Sequence, residues 1–422
     1  MNPWLPIVVL VPWLGGALAA ILGKRRPCLA GPISLVALGM SAVGLAIARL
    51  ESQGGAVAVY SFPWVSAMNV RFALRLDALA FPFLVNTVGV ALVAAWYALG
   101  YLRHARQVGV CYALMLCFVG SMLGTVLADD VILFFVFWEA MLVTSGLLLA
   151  GWGEGEHTSG VTLKYFLYMQ AGSLLLLAAV VWLVVQTRST GMAGMSGRLG
   201  DFAPAHLGWV AAIMIVGFAV KMAIAPLHTW LPDAHSIAPM PVTVLLAAAM
   251  LSMGAYGTLR FTAALGGPAL LQTLQRPLLY FAFGSQVYGA LMCLASRDIK
   301  RIVAYSSVSQ MGYVLFGIGT LVPRGMAGAV FHVINHGILK ALLFMAVGVI
   351  MRATGRRRID QITGLFPTMP TLSLCLWVGA LGLAGLPPLS AFHSEWLILA
   401  GGLETSLPVI RYLEFATPLL TA

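Results

Sequence analysis

The chain is written in apolar runs of about twenty residues, the length a helix needs to cross the hydrocarbon of a bilayer. They fall near 4–22, 29–48, 78–100, 108–127, 131–150, 163–186, 207–230, 240–263, 277–295, 302–321, 325–350, 371–400 and 407–421. The pattern predicts an all-α polytopic membrane protein of about 13 transmembrane helices and leaves no room for a soluble catalytic domain. Composition agrees. Charged residues make up 9% and hydrophobic ones 60%, whereas a soluble domain carries about 25% charged residues.

The formal charge of +10 would suggest nucleic acid in a soluble protein. Here the arginines lie between apolar runs, so they read as topology signals and lipid-headgroup contacts, and no nucleic-acid partner is expected. Lys24, Arg25, Arg26, Arg103, Arg106, Lys164, Arg297, Lys300, Arg301, Arg352, Arg356, Arg357 and Arg358 lie in or beside the loops of one side. Arg49, Arg71, Arg75, Arg188, Arg198, Arg260, Arg276, Arg324 and Arg411 lie on the other. That bias puts the N-terminus outside. Lys24–Arg26 follow the first apolar run, the wrong order for a cleaved leader, so that run reads as the first membrane helix. The cysteines mostly sit in apolar runs without metal-type spacing and read as inert thiols.

Proline interrupts two spans: Pro226 in the seventh, and Pro387 and Pro388 in the twelfth. The text around them is faintly alike, APLHTW against PPLSAF. Five helices separate the breaks. An odd offset reverses the direction of crossing and predicts two inverted five-helix repeats, helices 4–8 and 9–13. The expected organisation is residues 1–105 as an N-terminal section, 106–265 as the first repeat with a proton half-channel, and 266–422 as the second. Broken helices at matching positions point to an ion path near mid-membrane.

Charge inside a membrane is costly, about 2.5–3.5 kcal/mol per residue on insertion scales, and is usually functional. Glu139, Lys221 and Lys340 stand deep in apolar runs, and Glu395 follows the second proline break. His332, His336 and Lys340 recur every four residues and so share one helix face, the arrangement a buried chain of proton carriers needs. A Glu–Lys pair in contact is worth about 4 kcal/mol at an effective dielectric near 20, enough to move a lysine proton near neutral pH. The break at Pro226 frees backbone carbonyls and admits water beside Lys221. The alternatives are structural. A Glu139–Lys221 pair can be packing glue, and two histidines four apart can bind a metal, though no third ligand accompanies them. Asp129 and Asp130 suit the fifth helix's N-terminal dipole as well as they suit proton entry, and RDIKR (297–301) reads as an anchor. Nucleotide loops and nucleophile elbows are absent.

These residues are recognisable as a set. LRLDALAFPFLV, LADDVILFFVFWEAML, KYFLYMQAGSLLLLA, VKMAIAPLHTWLPDAH, RDIKRIVAYSSVSQMGYVLFGIG, FHVINHGILKALLF and GLPPLSAFHSEW span roughly residues 72–400. In them the chain resembles the antiporter-like, proton-translocating subunits of respiratory complex I, with relatives in Mrp antiporters and membrane-bound hydrogenases. KYFLYMQAGS and Phe392–Glu395 are most like the M-type subunit. The lysine of HGILKALLF is more like other members.

The resemblance implies that Glu139 and Lys221 form a coupling pair, and that His228 is the histidine after the break. It makes Lys340 a central carrier and Glu395 the terminal acid. It further implies a chain that binds no cofactor itself, with NADH, FMN, iron–sulfur clusters and quinone in partner subunits. The cargo is protons or Na+, and the setting is the bacterial inner membrane. Two departures stand out. Ser252 replaces an eighth-helix lysine of relatives, and the chain ends in the thirteenth helix where relatives usually have fourteen. A subunit of an Mrp antiporter or a hydrogenase, or a non-conducting scaffold, are the alternative readings.

Overall fold

The computed structural model describes residues 1–52, 57–196, 204–265 and 267–405. Helices α1 (Trp4–Arg25) and α2 (Ala30–Glu51) lead into an antiparallel hairpin, β1 (Ala58–Val65) and β2 (Val70–Leu76). Then come α3 (Ala80–Tyr101), α4 (Val108–Leu127), α5 (Val131–Trp152), α6 (Thr158–Thr187) and the short α7 (Met192–Ser196). A longer and a shorter piece follow, α8 (Pro204–Met222, 19 residues) and α9 (Trp230–Ile237, 8 residues). The next span starts as α10 (Met240–Leu245), passes through a π turn (Leu246–Met250) and continues as α11 (Leu251–Ala264). The remaining elements are α12 (Gln275–Ala295), α13 (Ile299–Gly319), α14 (Pro323–Thr354), α15 (Leu365–Thr368), α16 (Pro370–Leu383) and α17 (Ser390–Leu403).

Ten helical spans among the described residues are long and apolar enough to cross a membrane. Two more apolar helices, His206–Met222 and Pro370–Leu383, are shorter. These are the first parts of the broken seventh and twelfth spans, completed by α9 and α17. Twelve of the expected spans therefore have helical counterparts, and the thirteenth, at 407–421, lies outside the described residues. The hairpin was not anticipated. The burial of β1 does not alternate, running from buried Ala58 to four consecutive exposed residues, and the alternation in β2, where Arg71 and Arg75 fall between Val70, Phe72, Leu74 and Leu76, is too short to stand out beside the apolar runs.

Contacts divide the chain into two units: Met1–Phe218 with Tyr256–Leu270, and Ala219–Ala255 with Leu271–Ala422. In the first, α1 packs on α2 and α4, and Gly23 and Gly109 bring the α1 and α4 backbones so close that a Cβ on either would collide with the backbone of the other helix. Small residues permit such approach where no hydrophobic force drives helices together. The hairpin is tied down by Asp129 N–H donating to Ala73 O (2.9 Å) and Thr190 Oγ1 donating to Asn69 O (3.1 Å). In the second unit α14 is central, packed by α10, the π turn, α13, α16 and α17.

Asp130 and Asp298 solve the same problem five spans apart. The first N–H groups of a helix have no internal acceptor. Asp130 Oδ1 accepts from Ile132 and Leu133 N–H (2.9 and 3.2 Å) at the start of α5, and Asp298 Oδ1 accepts from Lys300 and Arg301 N–H (2.9 and 3.1 Å) at the start of α13. Each also forms an isolated antiparallel bridge to a later link, Asp130 to Gly191 and Asp298 to Arg358. Capping is thus the structural role of Asp130. Replacing either aspartate by alanine should cost about 1 kcal/mol, read as a lowered thermal midpoint in detergent, while Asp130→Asn and Asp298→Asn, which keep the capping oxygen and give up only the second oxygen's contacts with Arg71 N–H and Arg357, should lose less.

Candidate functional site

The two breaks are built alike. After Val220 and Gly382 the chain turns through left-handed residues, Ala223 (φ 57°) and Gly385 (φ 65°). Ala223 N–H donates to Val220 O and Ile224 N–H to Ala219 O (both 3.1 Å). Gly385 N–H donates to Gly382 O and Leu386 N–H to Leu381 O (both 3.2 Å). Leu227 N–H to Ile224 O and Leu389 N–H to Leu386 O close both turns. The register is constant, and it places Pro226 opposite Pro388 and Asp233 opposite Glu395. The two prolines, which have no N–H to donate, therefore occupy equivalent positions.

Lys221 lies in the last turn of α8 and is buried. Beyond the break, His228 is buried with its ring edge-on to Tyr288 (centroids 4.6 Å apart). Freed backbone groups near this break find side-chain partners. Trp230 Nε1 donates to Val220 O (2.9 Å), and Ala225 N–H donates to Ser285 Oγ (3.2 Å). Glu139 is half-buried in the middle of α5, in the first unit, and its Oε1 is buried without a hydrogen-bond partner among the described residues. Lys221 belongs to the second unit.

The predicted stripe on α14 is real: His332, His336 and Lys340 are all buried. His332 Nε2 donates to Gln310 Oε1 (2.7 Å), because the Gln310 amide nitrogen is turned away to donate to Leu383 O (3.2 Å). In the neutral ring Nδ1 is then an acceptor facing Ser394 Oγ (2.9 Å), a hydroxyl that accepts from Asn335 Nδ2 (2.9 Å) and has both Nδ1 and Ala391 O (2.8 Å) within reach of its one proton. Gln310 also hydrogen-bonds the buried carboxyl of Glu395. That carboxyl rests directly on Gly385, where any side chain would collide with Oε2. So the second break, Glu395, Gln310 and His332 form one connected polar cluster. Lys340 Nζ donates to Val303 O (2.9 Å) and Ser306 Oγ on α13. Between these ends, His336 Nε2 is buried with no hydrogen-bond partner among the described residues.

Several participants were not expected. Gln310 lies on α13 in VSQMG, a polar residue within an apolar run, and that was its only signal. His235 on α9 is fully buried, and neither ring nitrogen has a hydrogen-bond partner among the described residues. It lies within electrostatic reach of both Lys300 and Lys340. Lys300 corrects the reading of RDIKR as an anchor. It is fully buried, and Nζ donates to Ala238 O (2.8 Å), closing the C-terminus of α9. Beside it Arg301 pairs with Asp233 and Arg357 Nη2 donates to Ser236 O. Five spans apart, the same register position is thus an ion pair at Asp233 and an amide-bonded acid at Glu395. Ser252, in the first turn of α11, donates to Ala249 O of the π turn. No group of metal-binding side chains occurs among the described residues.

This architecture has known counterparts. The family model described as NADH:quinone oxidoreductase/Mrp antiporter, TM matches residues 128–421. The chain belongs to that family. It is a multi-pass membrane protein of the antiporter-like kind. It is 33% identical to NAD(P)H-quinone oxidoreductase chain 4 2 of Thermosynechococcus vestitus, over 94% of this chain and 75% of that one. It is 32% identical to NADH-quinone oxidoreductase subunit M of Rickettsia conorii, over 81% and 69%. Among solved structures it superposes on a chain of respiratory complex I from Thermus thermophilus, with TM-score 0.88 and 27% identity, covering 99% of this chain and 86% of that one. A chain of the Mrp complex from Dietzia sp. matches with TM-score 0.87 and 30% identity, covering 99% and 46%.

The left-handed residues make the breaks testable. A non-glycine residue held there costs about 1–2 kcal/mol. Ala223→Gly should therefore raise thermal stability by about 1 kcal/mol. Gly385→Ala should lower it by more than that amount, because strain adds to the collision with Glu395.

Proposed function

We propose that this chain is a proton-translocating membrane subunit of an NADH:quinone oxidoreductase-like complex in the bacterial inner membrane, with its N-terminus outside. The observation that carries the reading is the polar file within the second unit. It runs from Lys340 past His336 to His332, and from there through Gln310 to Glu395 at the helix break. Lys340 and Glu395 are ionisable, and His332 has one ring nitrogen donating and the other accepting, the two faces a proton shuttle uses. The unpartnered nitrogen of His336 gives bridging water a place to bind.

Glu139 and Lys221 are the pair that couples this file to the rest of the assembly, and His228 extends it beyond the first break. Electron transfer belongs to partner subunits holding NADH, FMN, iron–sulfur clusters and quinone. Its effect on this chain is to change the charge state of Glu139 and of Lys221, each within its own unit. Support comes from the relatives, which are named as chain 4 and subunit M of quinone oxidoreductases. The likeness to the Mrp complex at 30% identity favours a second reading, a subunit of a sodium/proton antiporter.

Lys340→Ala in the assembled complex should suppress proton pumping, followed as acidification of inverted vesicles, while assembly and electron transfer persist. Unchanged pumping would remove the relay. Sodium-dependent exchange without any redox substrate would favour the antiporter. Because the breaks lie five spans apart, cysteines placed at 228 and 395 should react with an impermeant thiol reagent from opposite faces, 228 from the cytoplasmic side. Labelling from one face would contradict the inverted half-channels.

A further inference from the structure

The first unit holds a second charged cluster, at the end of the unit where the hairpin lies. Arg260, on the last turns of α11, donates through Nη1 and Nη2 to both oxygens of Asp77 (2.6 and 2.8 Å) and through Nε to the Tyr256 hydroxyl (2.7 Å). Tyr256 in turn donates to Val126 O, in the last turn of α4. Asp77 Oδ1 also accepts from Ala80 N–H (3.0 Å) at the start of α3. Arg75 of β2 flanks the cluster, with Nε 3.2 Å from Asp77 and Nη1 3.8 Å from Asp129. One side-chain network therefore joins the ends of α3, α4 and α11 and the hairpin.

Behind it lies an aromatic layer. Phe83 packs edge-on to Tyr256 (centroids 5.2 Å apart). Phe134 packs on Phe261 (5.1 Å), Phe218 on Phe261 (5.6 Å), and Trp138 on Phe218 (5.4 Å). All are buried. Glu139 follows Trp138 on α5 and Arg260 precedes Phe261 on α11, so the rings in contact at Trp138, Phe218, Phe134 and Phe261 tie the helix of Glu139 to the helix of Arg260.

We propose that the Arg260–Asp77–Tyr256 cluster and the aromatic layer behind it form a proton seal, closing the hairpin end of the first unit so that protons at Glu139 do not escape there. The inference rests on the reading of Glu139 as a proton carrier. A relay needs groups that take up and release protons. Guanidinium keeps its proton at any physiological pH, the tyrosine hydroxyl and all three Arg260 nitrogens are committed, and the phenyl rings offer nothing. Burial opposes ionisation of Asp77, but the Arg260 hydrogen bonds and charge, the Ala80 N–H and Arg75 outweigh it and hold the carboxyl below its ordinary value. An acid depressed in this way stays ionised, and its pairing is lost only as pH falls through that lowered value. The ends of the cluster stay locked throughout the working range.

The test uses the assembled complex in vesicles tight to a trapped pH-sensitive dye, with a pH step imposed and no redox substrate. Asp77→Asn/Arg260→Gln removes both charges together, avoiding a buried unpaired ion. Passive proton entry should rise about tenfold while the dye stays trapped. Tyr256→Phe, which deletes one hydroxyl and keeps the packing, should give a smaller rise and serves if the double variant does not assemble. Wild-type leak in an assembled variant overturns the seal. Redox-driven pumping by the wild-type complex is measured in the same vesicles. Pumping with unchanged leak in the variants defeats the seal alone, whereas a wild type that pumps no protons defeats the relay reading.

Discussion

Within a bilayer every backbone N–H and C=O must find its partner inside the protein, and this chain breaks its helices twice where that demand is hardest to meet. Each break recovers two bonds by turning through a left-handed residue, Ala223 or Gly385. The remainder fall to side chains: Trp230 on Val220 O, Ser285 on Ala225 N–H, and Gln310 on Leu383 O. Both breaks thus have a freed backbone group met by a polar side chain of a neighbouring helix, Ser285 at the first and Gln310 at the second. Gln310 is also what connects the second break to the buried ionisable groups.

Gln310 shows how closely structure and chemistry are joined. Its amide nitrogen satisfies a carbonyl at the break while its oxygen receives His332. The amide orientation decides the histidine tautomer, and that tautomer decides which nitrogen can accept the next proton. Glu395 is held against Gly385, where the missing side chain makes room for its carboxyl. The acid and the break are one structural feature.

The repeated construction diverges where the charges lie. Asp130 and Asp298 cap equivalent helices in the same manner, and three backbone hydrogen bonds of one break have counterparts in register at the other. At one matching position Asp233 pairs with Arg301, while at the other Glu395 has Gln310 as its hydrogen-bonding neighbour. The same backbone thus carries a charge-paired acid in one place and an acid hydrogen-bonded to a neutral amide in the other.

The sequence by itself determined the spans, the two breaks and the buried histidine–lysine stripe. Apolar run length, proline and a spacing of four are local properties, and bilayer thickness and helix geometry translate them directly. Only the tertiary structure decided which polar residues serve these groups. Gln310 and Ser394 look like minor polar residues in apolar text, and Lys300 looks like one cation in a basic loop, until packing places each beside the group it bonds. The hairpin is known only from the fold too, because β1 has no period of its own and its pairing with the short alternation of β2 is fixed by contacts with α4, α5 and the link after α6. Asp77 and Arg260 are far apart in the chain, and no local pattern pairs them. Charges bury together for want of water, and which two meet is settled by the packing of the helices that carry them.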